Sequence, residues 1–172
     1  MTFTALGVSA LCAFVPPVDT TQAGTTTVIV VRHAEAVPGA GRDPALAKHG
    51  AARAAALAGA LGHANVSAVY ATQYQRTQLT GAPAAAARGL TVTVKPIEGD
   101  ADAYAAKLAA EILAMHAGTV LIVGHSNTVP ALLKAFSGVV IPDLAHDSYD
   151  TMFVITVRGP GQGSAVRARY GR

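Results

Sequence analysis

The sequence predicts an α/β fold: a three-layer α/β/α sandwich with a mostly parallel sheet, helices on both faces and a C-terminal β-hairpin. Three observations predict it. Short strand-like runs and helical stretches alternate four times along the chain. The runs are β-branched and apolar throughout, as strands buried on both faces are. The tail holds two strand-like runs around a glycine-rich turn.

The elements follow in order. Thr26 to Val31 is the first strand, and Pro38, Gly39, Gly41 and Pro44 mark a loop after it. Lys48 to Leu61, rich in Ala and Leu, reads as a helix ending near Gly62. Ser67 to Ala71 is a second strand. Tyr74 to Arg88 is a helix disturbed at Pro83 and stopped by Gly89. Leu90 to Val94 is a third strand. Asp102 to His116 is the clearest helix, with Tyr104, Leu108, Ile112 and Met115 on one face. Asp100 or Asp102 can cap its first turn, and Gly118 can end it. Thr119 to Val123 is a fourth strand. Val129 to Phe136 is a helix that tolerates Pro130 in its first turn, with Asn127 and Thr128 as capping residues. Met152 to Val157 and Ala165 to Tyr170 form the hairpin.

At 172 residues the chain is expected to form one domain. Hydrophobic residues make up 51% and charged residues 13%, which supplies a core and argues against general disorder. No apolar run approaches the ~20 residues of a spanning helix. The single cysteine excludes an internal disulfide and a cysteine-rich zinc site. The net charge of +3 comes from scattered Lys and Arg, and there is no Trp. Nucleic acid is therefore not an expected partner. An anionic small substrate fits the mild positive balance.

Residues 1–23 stand apart. Ala5 to Val15 is an apolar stretch with the length of a secretory h-region, Pro16 and Pro17 break it, and Thr21-Gln22-Ala23 resembles a signal-peptidase site. No Lys or Arg precedes Arg32, so a basic n-region is missing. The segment is expected to be a signal peptide or an unpacked N-terminal arm before a domain spanning 24–172. The first reading places the protein in a periplasm or outside the cell, the second in the cytoplasm.

Ligands of open α/β sheets bind beyond the carboxyl ends of the strands. Arg32 and His33 follow the first strand, Thr72 and Arg76 the second, and Gly124, His125 and Ser126 the fourth. Two histidines and two arginines thus converge on one sheet edge. Guanidinium forks match phosphate oxygens. A helix beginning after His125 adds backbone N–H groups. A histidine with one ring nitrogen held and the other free is a nucleophile at neutral pH. Ser126 is a further candidate phosphate ligand. The remaining histidines, His49, His63, His116 and His146, have no ligand spacing, and no metal site or cofactor is expected.

These residues resemble the signatures of the histidine phosphatase superfamily, the phosphoglycerate-mutase-like proteins. Val31-Arg32-His33-Ala34-Glu35 resembles the first signature. Leu46, Gly50 and Ala54 resemble a second block, Thr72 to Thr80 around Arg76 and Thr77 a third, and Gly124-His125-Ser126-Asn127 the last. The resemblance implies that His33 becomes phosphohistidine, that Arg32, Arg76 and His125 hold the phosphoryl group, and that no metal is needed. It also implies a carboxylic acid that protonates the leaving oxygen, for which Glu98 and Asp100 rank above Asp102. Glu35 can line the pocket or pair with an arginine. Ala36 and Gly39 stand where many members carry extra phosphate ligands, which argues against mutase activity. The chain also lacks the insertions that cap mutases and phytases and so resembles the small bacterial members. The function implied is hydrolysis of phosphomonoesters on a small molecule. The alternatives are a phosphohistidine protein phosphatase and a non-catalytic phosphate-binding module.

Overall fold

Every second residue of the central strands faces a different helical layer, and this alternation builds the molecule. The computed structural model describes residues 25–115 and 118–171. The expected signal peptide or arm lies outside the described residues, as do Cys12, Gly24 and His116. The elements are β1 (Thr26–Arg32), α1 (Lys48–Ala60), β2 (Val66–Ala71), α2 (Gln75–Ala86) and β3 (Val92–Val94). They continue with α3 (Ala101–Met115), β4 (Gly118–Gly124), α4 (Thr128–Ser137), β5 (Thr151–Val157) and β6 (Gly163–Arg169).

The sheet order is β3-β2-β4-β1-β5-β6. β1, β2, β3 and β4 pair in parallel, whereas β5 runs antiparallel to β1 and to β6. This is the expected mostly parallel sheet with a terminal hairpin. Val28, Val30, Val120 and Ile122 pack with Leu108 and Ile112 of α3 and Leu132 and Phe136 of α4. Their neighbours Ile29, Val31, Leu121 and Val123 pack on the other face with Leu57 of α1 and Ala84 and Ala85 of α2. Both faces are apolar because both are covered, which explains runs without polar alternation.

Local chemistry sets the helix ends. The Asp100 carboxylate accepts the Ala103 N–H at 2.8 Å and so caps α3. Asp43, from the loop after β1, accepts the Gln75 N–H at 2.8 Å and does the same for α2. Gly138 ends α4 at φ 74°. Gly118 does not end α3 but opens β4. Pro83 sits inside α2.

Register positions the site. Arg32 pairs with Gly124 and Ala71 with Val123, so β1, β4 and β2 end level. The residues that follow, His33, His125 and Thr72, therefore emerge side by side.

Candidate active site

Strand ends place the two histidines together. The ladder runs one step past β1, with the His33 N–H donating to the Gly124 carbonyl at 2.9 Å. The imidazoles of His33 and His125 lie edge to face with centroids 5.3 Å apart. Tyr74 stands against the other side of His125, also at 5.3 Å and nearly perpendicular. Both histidines are buried, and both line one cavity of about 510 Å³. Arg76, Ser126 and Asp143 share that wall.

Each ring is held by one nitrogen. His33 Nδ1 lies 2.8 Å from the Ala34 carbonyl oxygen, an acceptor only, so Nδ1 carries the proton and Nε2 the lone pair. His125 Nε2 lies 2.9 Å from the Thr72 hydroxyl. Thr72 Oγ1 is also 2.9 Å from Thr77 Oγ1, which donates to the Tyr74 carbonyl at 2.7 Å. The Thr128 hydroxyl accepts the His125 N–H at 2.7 Å and fixes the backbone where α4 begins. The Ala34 N–H is held by Thr80 Oγ1 at 2.9 Å, so α2 braces the segment that carries His33. Among the described residues, His33 Nε2 and His125 Nδ1 have no protein partner.

Burial disfavours charge on these rings. It pushes His33 down to about 4, with the Arg76 and Arg32 charges adding to it and the Ala34 hydrogen bond opposing. Burial, then His33 and the two arginines, push His125 down to about 3. Both rings are therefore neutral at neutral pH.

The arginines differ. Arg76 stacks on Tyr74, its guanidinium carbon 4.4 Å from the ring centroid. Its polar partners are distant: the Arg42 carbonyl at 3.5 Å and Asp43 at 4.0 Å. Most of its fork is free toward the cavity. Arg32 is 6% exposed and lies against Tyr149 at 4.3 Å. Its Nη1 donates to the Ala145 and His146 carbonyls at 2.8 and 3.0 Å. Among the described residues its Nε is buried with no partner, and burial lowers its pKa. A buried guanidinium N–H without an acceptor is costly, and an anion oxygen would satisfy it.

Other expected residues lie elsewhere. Glu98 sits outside the histidine cavity, its side chain 70% exposed and paired with Lys107 at 2.8 Å. That pairing holds its carboxyl below the usual range. Asp100 caps α3, and Asp102 pairs with Lys134. Glu35, two residues after His33, does not line the cavity and takes a two-pronged bond from Arg53, at 2.7 to 3.0 Å. Of its two sequence readings, arginine pairing is the one realised. Ser126 reaches the wall as expected.

The sequence assigns no site role to Tyr74, Tyr149 and Asp143, and Thr77 and Thr80 enter it only as part of a motif. Tyr74 is two residues before Arg76, a spacing that could have flagged it. Tyr149 and Asp143 come from the loop before β5, and no local signal ties them to the histidines. Among the described residues, no group of three or more His, Cys, Asp or Glu side chains is placed to hold a metal ion. No described helix is long and apolar enough to cross a membrane.

Residues 28–97 match the family model of the histidine phosphatase superfamily, branch 1. The match ends before Gly124-His125. No curated protein sequence matches the chain. Among solved structures, the protein histidine phosphatase SixA in complex with tungstate is similar at TM-score 0.69 and 18% identity. That likeness covers 83% of this chain and 96% of that one. The proposed phosphohistidine phosphatase SixA from Nakamurella multipartitia is similar at TM-score 0.60 and 26% identity, over 87% and 96% of the two chains. Bacillus stearothermophilus YhfR is similar at TM-score 0.66 and 20% identity, over 82% and 95%.

Proposed function

Because this chain resembles the histidine phosphatase superfamily in both its sequence pattern and its fold, we propose that it is a phosphatase that hydrolyses phosphomonoesters through phosphohistidine at His33. One observation carries the reading. A neutral imidazole with Nδ1 tied to Ala34 presents Nε2 to the cavity where Arg76 and His125 also stand. The Nε2 lone pair attacks phosphorus while the ester oxygen leaves. Arg76 and Arg32 Nε are the donors for the non-bridging oxygens, His125 joins them when its Nδ1 takes a proton as the anion binds, and Ser126 can add its hydroxyl. Water then cleaves the N–P bond. No step here calls for a metal or cofactor.

The test is hydrolysis of p-nitrophenyl phosphate in EDTA by residues 24–172 and by the His33→Ala variant, with intact-mass detection of an acid-labile phosphoryl adduct. Turnover and an adduct in the parent, both absent in the variant, are expected. Phosphate binding with neither would instead assign a binding module.

A second reading is a phosphohistidine protein phosphatase. It is favoured by the fold likeness to the SixA proteins. A phosphohistidine peptide hydrolysed faster than small phosphomonoesters would select it.

A further inference from the structure

The cavity beside His33 has one carboxylate on its wall, and it is none of the three acids the sequence pointed to. Asp143 lines that cavity together with the histidines and Arg76. It also lines a second depression of about 380 Å³, whose wall includes Asn127, Lys134 and Val140. Asn127 and Asp143 are common to both, so the two hollows meet along them.

The chain around Asp143 is fixed on both sides. Ile141 and Leu144 pack against the core under α3 and α4. The Leu144 N–H donates to the Ser126 carbonyl at 3.0 Å, one residue past His125. Arg32, one residue before the nucleophile, grips the Ala145 and His146 carbonyls. Asp143 itself is exposed, and among the described residues no hydrogen bond or ion pair engages its carboxyl. Asp147, whose charge acts on Arg32, does not line the cavity, and other carboxyls are engaged elsewhere. Glu35 is held by Arg53, Glu98 by Lys107 and Asp102 by Lys134, while Asp43 and Asp100 cap helices.

Building on the phosphatase reading, we propose that Asp143 is the general acid and base of the reaction, with the adjoining depression receiving the leaving group. In the first step the His33 Nε2 lone pair forms the N–P bond, the P–O bond to the leaving group breaks, and its oxygen takes the electron pair and the Asp143 proton. In the second, the Asp143 carboxylate takes a proton from water. The water oxygen bonds phosphorus, and the N–P pair returns to Nε2. Asp143 ends protonated and orthophosphate departs.

The experiment compares parent and Asp143→Asn by rapid quench, with p-nitrophenyl phosphate and with glycerol phosphate, following the phosphoryl adduct on His33. Nitrophenolate leaves unaided and an alkoxide does not. The variant should therefore form adduct from the aryl ester within about threefold of the parent rate, yet from glycerol phosphate about 10²-fold more slowly. It should also hydrolyse the adduct more slowly, and Asp143→Glu should restore part of both losses. Equal rates with both esters, or an equal fall with both, would overturn the role of Asp143 while leaving phosphohistidine intact. A parent that forms no adduct from either ester would overturn the phosphatase reading, and this role with it.

Discussion

Thr72 Oγ1 lies 2.9 Å from His125 Nε2, and both groups are buried at the ends of adjacent parallel strands. The hydroxyl fixes which nitrogen of His125 is left for a phosphoryl oxygen. With the Thr77 proton on the Tyr74 carbonyl, Thr72 donates to Thr77 Oγ1 and accepts from His125 Nε2, so the Nδ1 lone pair is left to take up the proton that meets an anionic oxygen. Thr72→Val keeps the shape and removes the hydroxyl. Turnover should fall about 10- to 100-fold, the worth of one hydrogen bond to a group that meets charge. Thr72→Ser should recover most of it. Steady-state kinetics of the three proteins would check this, and an unaffected Thr72→Val would mean that Thr72 does not orient His125.

The buried histidines make the protein acid-sensitive earlier than its carboxylates do. In an unfolded chain histidine titrates near ~6.5, whereas the folded site holds His33 at about 4 and His125 at about 3. Between these values the unfolded chain binds the additional protons. Stability is therefore lost as pH falls from about 6.5 through about 4, and the histidine contribution levels off below the folded values. Urea unfolding at pH 7 and pH 5 should show a larger loss for the parent than for His33→Ala. Equal losses would mean that His33 titrates normally in the fold. If His33 attacks as proposed, the acid limb of kcat/KM, which reports the free protein, should likewise lie near 4 rather than near 6.5.

Arg76 is the arginine whose fork remains free. Its partners at 3.5 and 4.0 Å are weak, and Tyr74 supports its flat face. Arg76→Ala should weaken inorganic phosphate binding about 10- to 100-fold, as expected for lost charge-assisted hydrogen bonds. Arg76→Lys should restore charge without the fork and recover only part of it. Isothermal titration with phosphate would read this directly. Full affinity in Arg76→Ala would remove Arg76 from the anion site.

The fold and half the site were legible because their signals are local. Apolar runs of strand length gave β1, β2 and β4, and the residues just past each run gave His33, Thr72 and His125. Arg76 followed because it lies in the first turn of α2. The acid was not legible in the same way. Glu98 and Asp100 follow β3 as the resemblance asked, but Lys107 draws one outward and the first turn of α3 takes the other. Asp143 reaches the cavity through the Leu144–Ser126 bond and the Arg32 grip on the next two carbonyls. Those contacts join segments distant in sequence. The same holds for Asp43, which caps α2 from 32 positions away.

Two glycines of α1 should respond oppositely to the same substitution. At Gly50 an added Cβ would lie 2.1 Å from the Glu35 carbonyl oxygen and 2.9 Å from its carbon, both backbone atoms that cannot swing aside. The helix is pinned there: the Ala47 N–H donates to that same carbonyl at 2.9 Å, and Arg53 clamps the Glu35 side chain. Gly50→Ala must push α1 off the segment that carries His33, at a cost of about 1–3 kcal/mol or more. In a chain of this length, each 1 kcal/mol moves Tm by about 2–4 °C. Gly59, one face over in the same helix, is exposed with nothing within 4 Å of its Cβ position. Gly59→Ala should raise stability by about 0.5–1 kcal/mol, through helix propensity alone. Thermal unfolding of the pair isolates packing from propensity, since both changes add the same methyl to the same helix. If Gly50→Ala melts as high as Gly59→Ala, α1 does not press on the Glu35 backbone, and the brace behind the nucleophile's strand end is lost with it.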